Sequence, residues 1–73
     1  MDVSNETITV TVNGDDREIP GGLTVRGLLA HLGLQEGLVV VEWNREIVRR
    51  GSYDDVVVSD GDVVELVHFV GGG

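Results

Sequence analysis

Residues Thr7 to Val12 alternate without a break, Ile8, Val10 and Val12 to one side and Thr7, Thr9 and Thr11 to the other, which is the period of a half-buried strand. Asn13-Gly14 follows, the dipeptide that most readily takes the positive φ angles of a type I′ turn, so Arg17 to Ile19 is predicted to return antiparallel to the first strand. Pro20 has no N–H to donate and is expected to end that pairing. After the Gly21-Gly22 joint the period lengthens. Thr24 is placed to cap a helix in which Val25, Leu28, Leu29 and Leu32 form one apolar stripe. Gly33 stands where a left-handed residue closes such a helix, and Leu34 can fold back on Leu29. Gly27 inside the helix costs about 1 kcal/mol relative to alanine. His31, in the last turn, is better explained by the helix dipole than by ligation or catalysis.

In the second half, Leu38 to Val41 is a continuous apolar run, expected to be a strand covered on both sides over part of its length. Asn44-Arg45 can form a two-residue turn into a short strand, Glu46 to Val48. Arg49, Arg50 and Gly51 open a loop carrying Tyr53, Asp54 and Asp55 to Val56-Val57-Val58. The arginine pair reads as a solvated loop, with a docking contact as the alternative. Asp60-Gly61-Asp62 lacks the spaced ligands and closing glutamate of a calcium loop and reads as the turn into a last strand, Val63 to Phe69. There Val64 and Leu66 share one face, while Val63, Glu65, Val67 and Phe69 share the other. If the first face meets the helix, Val67 and Phe69, with Val70 at the root of the tail, offer an apolar grip to a partner. A bulge would shift the parity and place Phe69 in the core instead.

These elements predict an α+β roll, a mixed sheet of four to five strands with one main helix on one face and the first and last strands parallel neighbours. That is the β-grasp arrangement found in ubiquitin. Residues 1–70 would form this single domain and residues 71–73 a flexible glycine tail.

Composition narrows the chemistry. A chain of 73 residues has room for one small core, and 41% hydrophobic residues are enough to build it. Zero cysteines exclude a disulfide framework, a thiolate nucleophile and a cysteine metal site. The N-terminus shows neither a basic region nor an apolar run, so a soluble cytoplasmic protein is expected. A net charge of −8 disfavours nucleic acid and membrane surfaces and suits a partner with a basic docking surface. His31 and His68 have no partner of a nucleophile motif, and the carboxylates lie in turns, so no catalytic residue, metal site or bound cofactor is expected.

The unusual group is the end of the chain, Gly71-Gly72-Gly73. Glycine without a Cβ is poor structural material, but from Val70 onward the tail can reach roughly 13 Å into a narrow site on another protein. By itself it fits a frayed end equally well. A carboxylate resists nucleophiles until it is coupled to AMP, after which sulfur can displace the AMP.

Several segments together resemble the family of ThiS and MoaD sulfur carriers. They are Val12-Asn13-Gly14, Leu23-Thr24-Val25 with Leu28-Leu29 and Leu32-Gly33, Asn44-Arg45-Glu46-Ile47-Val48, Asp60-Gly61-Asp62-Val63-Val64-Glu65, and Val70-Gly71-Gly72-Gly73. The resemblance covers essentially the whole chain. It implies that Gly73 is adenylated by an E1-like ThiF-type adenylyltransferase using ATP and magnesium, then converted to a thiocarboxylate with sulfur from a donor such as a cysteine desulfurase. The sulfur would pass to the thiazole synthase ThiG, with Gly71, Gly72 and Gly73 entering the partner's active site and Val67, Phe69 and Val70 docking beside it. The carrier would be a co-substrate, monomeric when free. Two departures stand out: three final glycines where two are common, and Arg49 where the family often has proline. The ending Val67-His68-Phe69-Val70-Gly71 resembles the ThiS branch. A MoaD-type carrier, a ubiquitin-like modifier and a non-covalent β-grasp interaction domain are the alternatives.

Overall fold

A computed structural model describes residues 6–68. In chain order it has strands β1 (Thr7–Val12) and β2 (Asp15–Pro20), helix α1 (Val25–His31), and strands β3 (Val39–Trp43), β4 (Glu46–Val48) and β5 (Val63–His68). One mixed sheet runs β2-β1-β5-β3-β4. β1 and β5 are parallel, with Thr11 opposite Val63 and Val12 opposite Val64; the other pairs are antiparallel. This is the β-grasp roll expected from the sequence.

The local signals act as their chemistry dictates. Asn13 and Gly14 turn the chain at φ 51° and 88°, and Asn44 and Arg45 do the same at 50° and 73°. Thr24 caps α1 by accepting the Gly27 N–H at 3.1 Å. The helix closes at Gly33, φ 76°, where the Leu34 N–H reaches the Leu29 carbonyl at 2.9 Å and the Gly33 N–H reaches that of Ala30 at 3.0 Å. Gly27 has a packing reason as well: a Cβ there would lie 3.3 Å from Leu23 Cδ2.

Three expectations are corrected. β2 does not stop before Pro20, which pairs opposite Thr7. The next residue, Gly21, donates to the Glu6 carbonyl at 2.9 Å, so alternation turns the Pro20 nitrogen to the outer edge, where no N–H is needed. β3 begins at Val39, because Leu38 belongs to a single 3₁₀ turn, Glu36–Leu38, and is half-exposed. The strand is covered on one face, by Val39 and Val41, and not on both. Tyr53, expected in a solvated loop, is a core residue: a 3₁₀ turn at Arg50–Ser52 carries it inward, and its carbonyl accepts the Arg26 N–H at 3.2 Å.

The core lies between α1 and the inner face of the sheet. Val25, Leu28 and Leu29 of the helix meet Val10, Val12, Val39, Val41, Val64 and Leu66, with Ile19, Val48, Tyr53 and Val58 around them. Among the described residues no helix is long and apolar enough to cross a membrane.

Candidate docking face and tail root

β5 is the central strand, held by β1 on one side and β3 on the other, and it leads to the glycine tail. Its parity is the expected one. Val64 and Leu66 are buried against the helix side, whereas Val63 and Val67 are 45% and 59% exposed on the opposite face. Phe69, Val70, Gly71, Gly72 and Gly73 lie outside the described residues.

The open face is organised around that strand. Val67 stands opposite Val40, and Glu65 stands opposite Glu42. On the far side of Glu42 is Ile47, 69% exposed. Two carboxylates therefore face one another across neighbouring strands in an apolar surround. Directly opposed like charges repel, by a few tenths of a kcal/mol at about this exposure. The β1 part of the same face carries Thr7, Thr9 and Thr11.

The beginning of β5 is fixed by Asp62. Its carboxylate accepts from the Trp43 indole N–H at 2.7 Å, the Asn44 side-chain amide at 3.1 Å and the Ser59 backbone N–H at 2.8 Å. Partial burial pushes this carboxyl up, but the three hydrogen bonds, led by that from Ser59, overcome it and hold the group below its ordinary value. Asn44 in turn accepts the Val63 N–H on its side-chain oxygen at 2.9 Å. Farther along, the side chain of Asn13 bonds both polar groups of the Leu66 peptide, accepting its N–H at 2.7 Å and donating to its carbonyl at 3.2 Å. The sequence marks these asparagines as turn residues only; their second role spans up to 53 positions of chain and has no local signature.

Elsewhere, Arg26 ties α1 to the loops by pairing with Glu36 and, at 2.8 Å, with Asp54, and both carboxylates raise its pKa. A shallow cavity of about 200 Å³ lies beside the end of β5, lined by Val12, Asn13, Arg17, Leu32, Leu34, Leu66 and His68. Among the described residues no group of three His, Cys, Asp or Glu side chains could hold a metal ion. The Arg49-Arg50 pair is exposed, as expected of a solvated loop.

Comparison with known proteins supplies the context. A model of the ThiS family matches residues 10–73. The sulfur carrier protein ThiS of Bacillus subtilis is 48% identical over 50 residues, covering 68% of this chain and 76% of that one. A thiazole synthase of Paramagnetospirillum magneticum is 45% identical over 64 residues, which are 88% of this chain but only 20% of the relative. The chain thus spans about a fifth of that enzyme's length. In three dimensions it matches the crystal structure of the thiamine biosynthesis protein ThiS from Geobacter metallireducens with a TM-score of 0.79 at 39% identity, covering 90% of this chain and 100% of that one.

Proposed function

Because the chain belongs to the ThiS family, we propose that it carries sulfur for thiamine thiazole synthesis on the carboxylate of Gly73. The observation that carries the reading is the family match itself, which runs through the folded body and on to the last glycine. The body supplies recognition and the tail supplies the reacting group.

A carboxylate oxygen of Gly73 attacks the α-phosphorus of ATP, pyrophosphate leaves, and a mixed anhydride with AMP results. A sulfur nucleophile at the oxidation level of sulfide then adds to the acyl carbon, and AMP departs with the original oxygen. The product is a thiocarboxylate. ATP and magnesium belong to the partner, a ThiF-type adenylyltransferase, and a cysteine desulfurase is a suitable sulfur source once two thiols, oxidised to a disulfide, have reduced its persulfide sulfur to the sulfide level. The partner's groove must admit the tail to its last atom, and side-chain-free Gly72 and Gly73 meet that demand where a Cβ would collide.

The next partner is a thiazole synthase of the ThiG type. Support comes from the thiazole synthase of P. magneticum, one fifth of which resembles this chain, so that in the relative both parts share one polypeptide. A thiazole synthase and a ThiS carrier among the sequence relatives, and a thiamine biosynthesis protein among the structural ones, favour this pathway over a MoaD-type one. The docking surface is the open sheet face around Val67; Phe69 and Val70, assigned to it from the sequence, lie outside the described residues. Apolar groups there give the partner contact area, and Glu42 with Glu65 offers a place for a cationic side chain.

The test is incubation with a ThiF-type adenylyltransferase, ATP and a sulfur source, followed by intact-protein and C-terminal peptide mass spectrometry. The expected product is heavier by the difference between sulfur and oxygen, with the change on Gly73. An unmodified terminus in the presence of an enzyme active on another carrier would overturn the reading.

A further inference from the structure

We infer that Asn13 is a positioning residue for β5, the strand that leads to the tail: its side-chain amide continues the sheet where the main chain of β1 has already turned away. This rests on the carrier reading above and adds to it the group that aims the last strand.

The hydrogen-bond ladder between β1 and β5 assigns the role. In a parallel pair, alternate residues of one strand donate and accept at regular intervals along the other. Here the Thr11 N–H donates to the Asp62 carbonyl at 2.9 Å and the Asn13 N–H donates to the Val64 carbonyl at 3.0 Å. The following rungs would require the Asn13 carbonyl to accept the Leu66 N–H and the N–H two residues later to donate to the Leu66 carbonyl. Neither happens through the main chain, because Asn13 takes φ 51° and leads into β2. Both rungs are instead made by one side chain, Oδ1 with the Leu66 N–H at 2.7 Å and Nδ2 with the Leu66 carbonyl at 3.2 Å. A carboxamide has the donor and acceptor of a peptide group in nearly the same geometry, which is why asparagine can stand in for one.

Placement gives the contact its meaning. The main-chain register of β1 with β5 ends at Val12 opposite Val64, while β3 follows β5 to His68. Leu66 is therefore the last point at which β5 is held from both sides, two residues before the described strand ends. Turn geometry alone would be met at least as well by glycine. The asparagine side chain serves the other strand.

Asn13→Gly separates the two roles, since it keeps the turn and removes the amide. Asn44→Gly is the matched control: it likewise keeps a positive-φ turn residue and removes two side-chain bonds, but to Asp62 and Val63, at the far end of β5. A strand end that must be reordered on docking lowers the competent population and so raises KM, with the chemistry after docking unchanged. In pyrophosphate-release kinetics with a ThiF-type enzyme, Asn13→Gly is expected to raise the KM for the carrier about tenfold and leave kcat within about twofold. Amide exchange at Leu66 should accelerate by at least about tenfold, while that at Val41 in the sheet centre stays slow. Asn44→Gly should leave KM within about twofold of the wild type.

An unchanged KM for Asn13→Gly, or an equal rise for Asn44→Gly, would overturn the positioning role, the second by showing that any weakening of β5 suffices. Failure of the wild type to release pyrophosphate with the same active enzyme would overturn the carrier reading, and this inference with it. The two failures are thus told apart by the wild-type arm.

Discussion

The two faces of β5 are built from the same kind of residue and behave oppositely. Val64 and Leu66 are 1% and 5% exposed against the helix; Val63 and Val67, one position away along the chain, are 45% and 59% exposed. β1 makes the contrast sharper, because on the same open face it carries Thr7, Thr9 and Thr11. Threonine and valine are nearly the same shape and both suit strands, so the sheet itself does not require valine at position 67. Parity assigns Val64 to stability. Val67, with no such assignment, is where the docking proposal finds its residue.

The strongest way to break that contrast is to place the same charge on each face. Val64→Asp buries a carboxylate with no cation in the core, an error that commonly costs more than about 4 kcal/mol, and a domain this small should then fail to fold by circular dichroism. Val67→Asp should keep a cooperative thermal transition within about 5 °C of the wild type, since exposed substitutions rarely exceed about 0.5 kcal/mol. Its KM with the adenylyltransferase should nevertheless rise about tenfold or more, the loss expected of a central apolar contact. If Val67→Asp unfolds the domain, the face is core and the contrast disappears.

The next effect concerns the rim where the two faces meet. Asp62 holds Trp43, Asn44 and the Ser59 N–H, so Asp62→Ala strands three donors and should cost about 2 kcal/mol in urea unfolding. Its pH dependence has a definite sign. The carboxyl is held below its ordinary 3.8, despite the upward push of burial, so the ionised form stabilises the fold fully above that value. That contribution is lost as pH falls from 3.8 through the lower folded-state value. Against an Asp62→Asn reference, the wild-type advantage should be flat near neutrality and shrink only in that acid window.

The residues in these experiments also mark how far the chain was legible in advance. The limits of β1 and β4, the two asparagine turns, the Thr24 cap, the Gly33 closure and the parity of β5 follow from neighbours along the chain, and the structure has them all. Tyr53 was not legible as core, because its partners come from the helix and sheet and a lone aromatic among Asp54, Asp55 and Gly51 has no periodicity. Nor were the second roles of Asn13, Asn44 and Asp62. Each side chain satisfies a distant backbone or side-chain group, and such pairings are decided only when the sheet closes. Pro20 does not interrupt the pairing because β2 is an edge strand and the proline nitrogen faces outward, and no local signal says which strand is the edge. The tail lies outside the described residues, and its role rests on family and chemistry.

The smallest expected effect tests the open face from the opposite direction. Glu42 and Glu65 sit directly across from one another, and an isolated domain would be slightly better without that repulsion. Glu65→Gln should therefore raise stability by about 0.3 kcal/mol, more at low ionic strength, where the two charges are less screened. A partner that places a cation between the carboxylates predicts the reverse for binding: the same variant should associate more slowly, and its on-rate should depend less steeply on salt. Stability and association would then move in opposite directions on one substitution. If both improve, or if the salt dependence is unchanged, the pair faces only solvent, and docking on this side of the sheet rests on Val67 and its apolar neighbours alone.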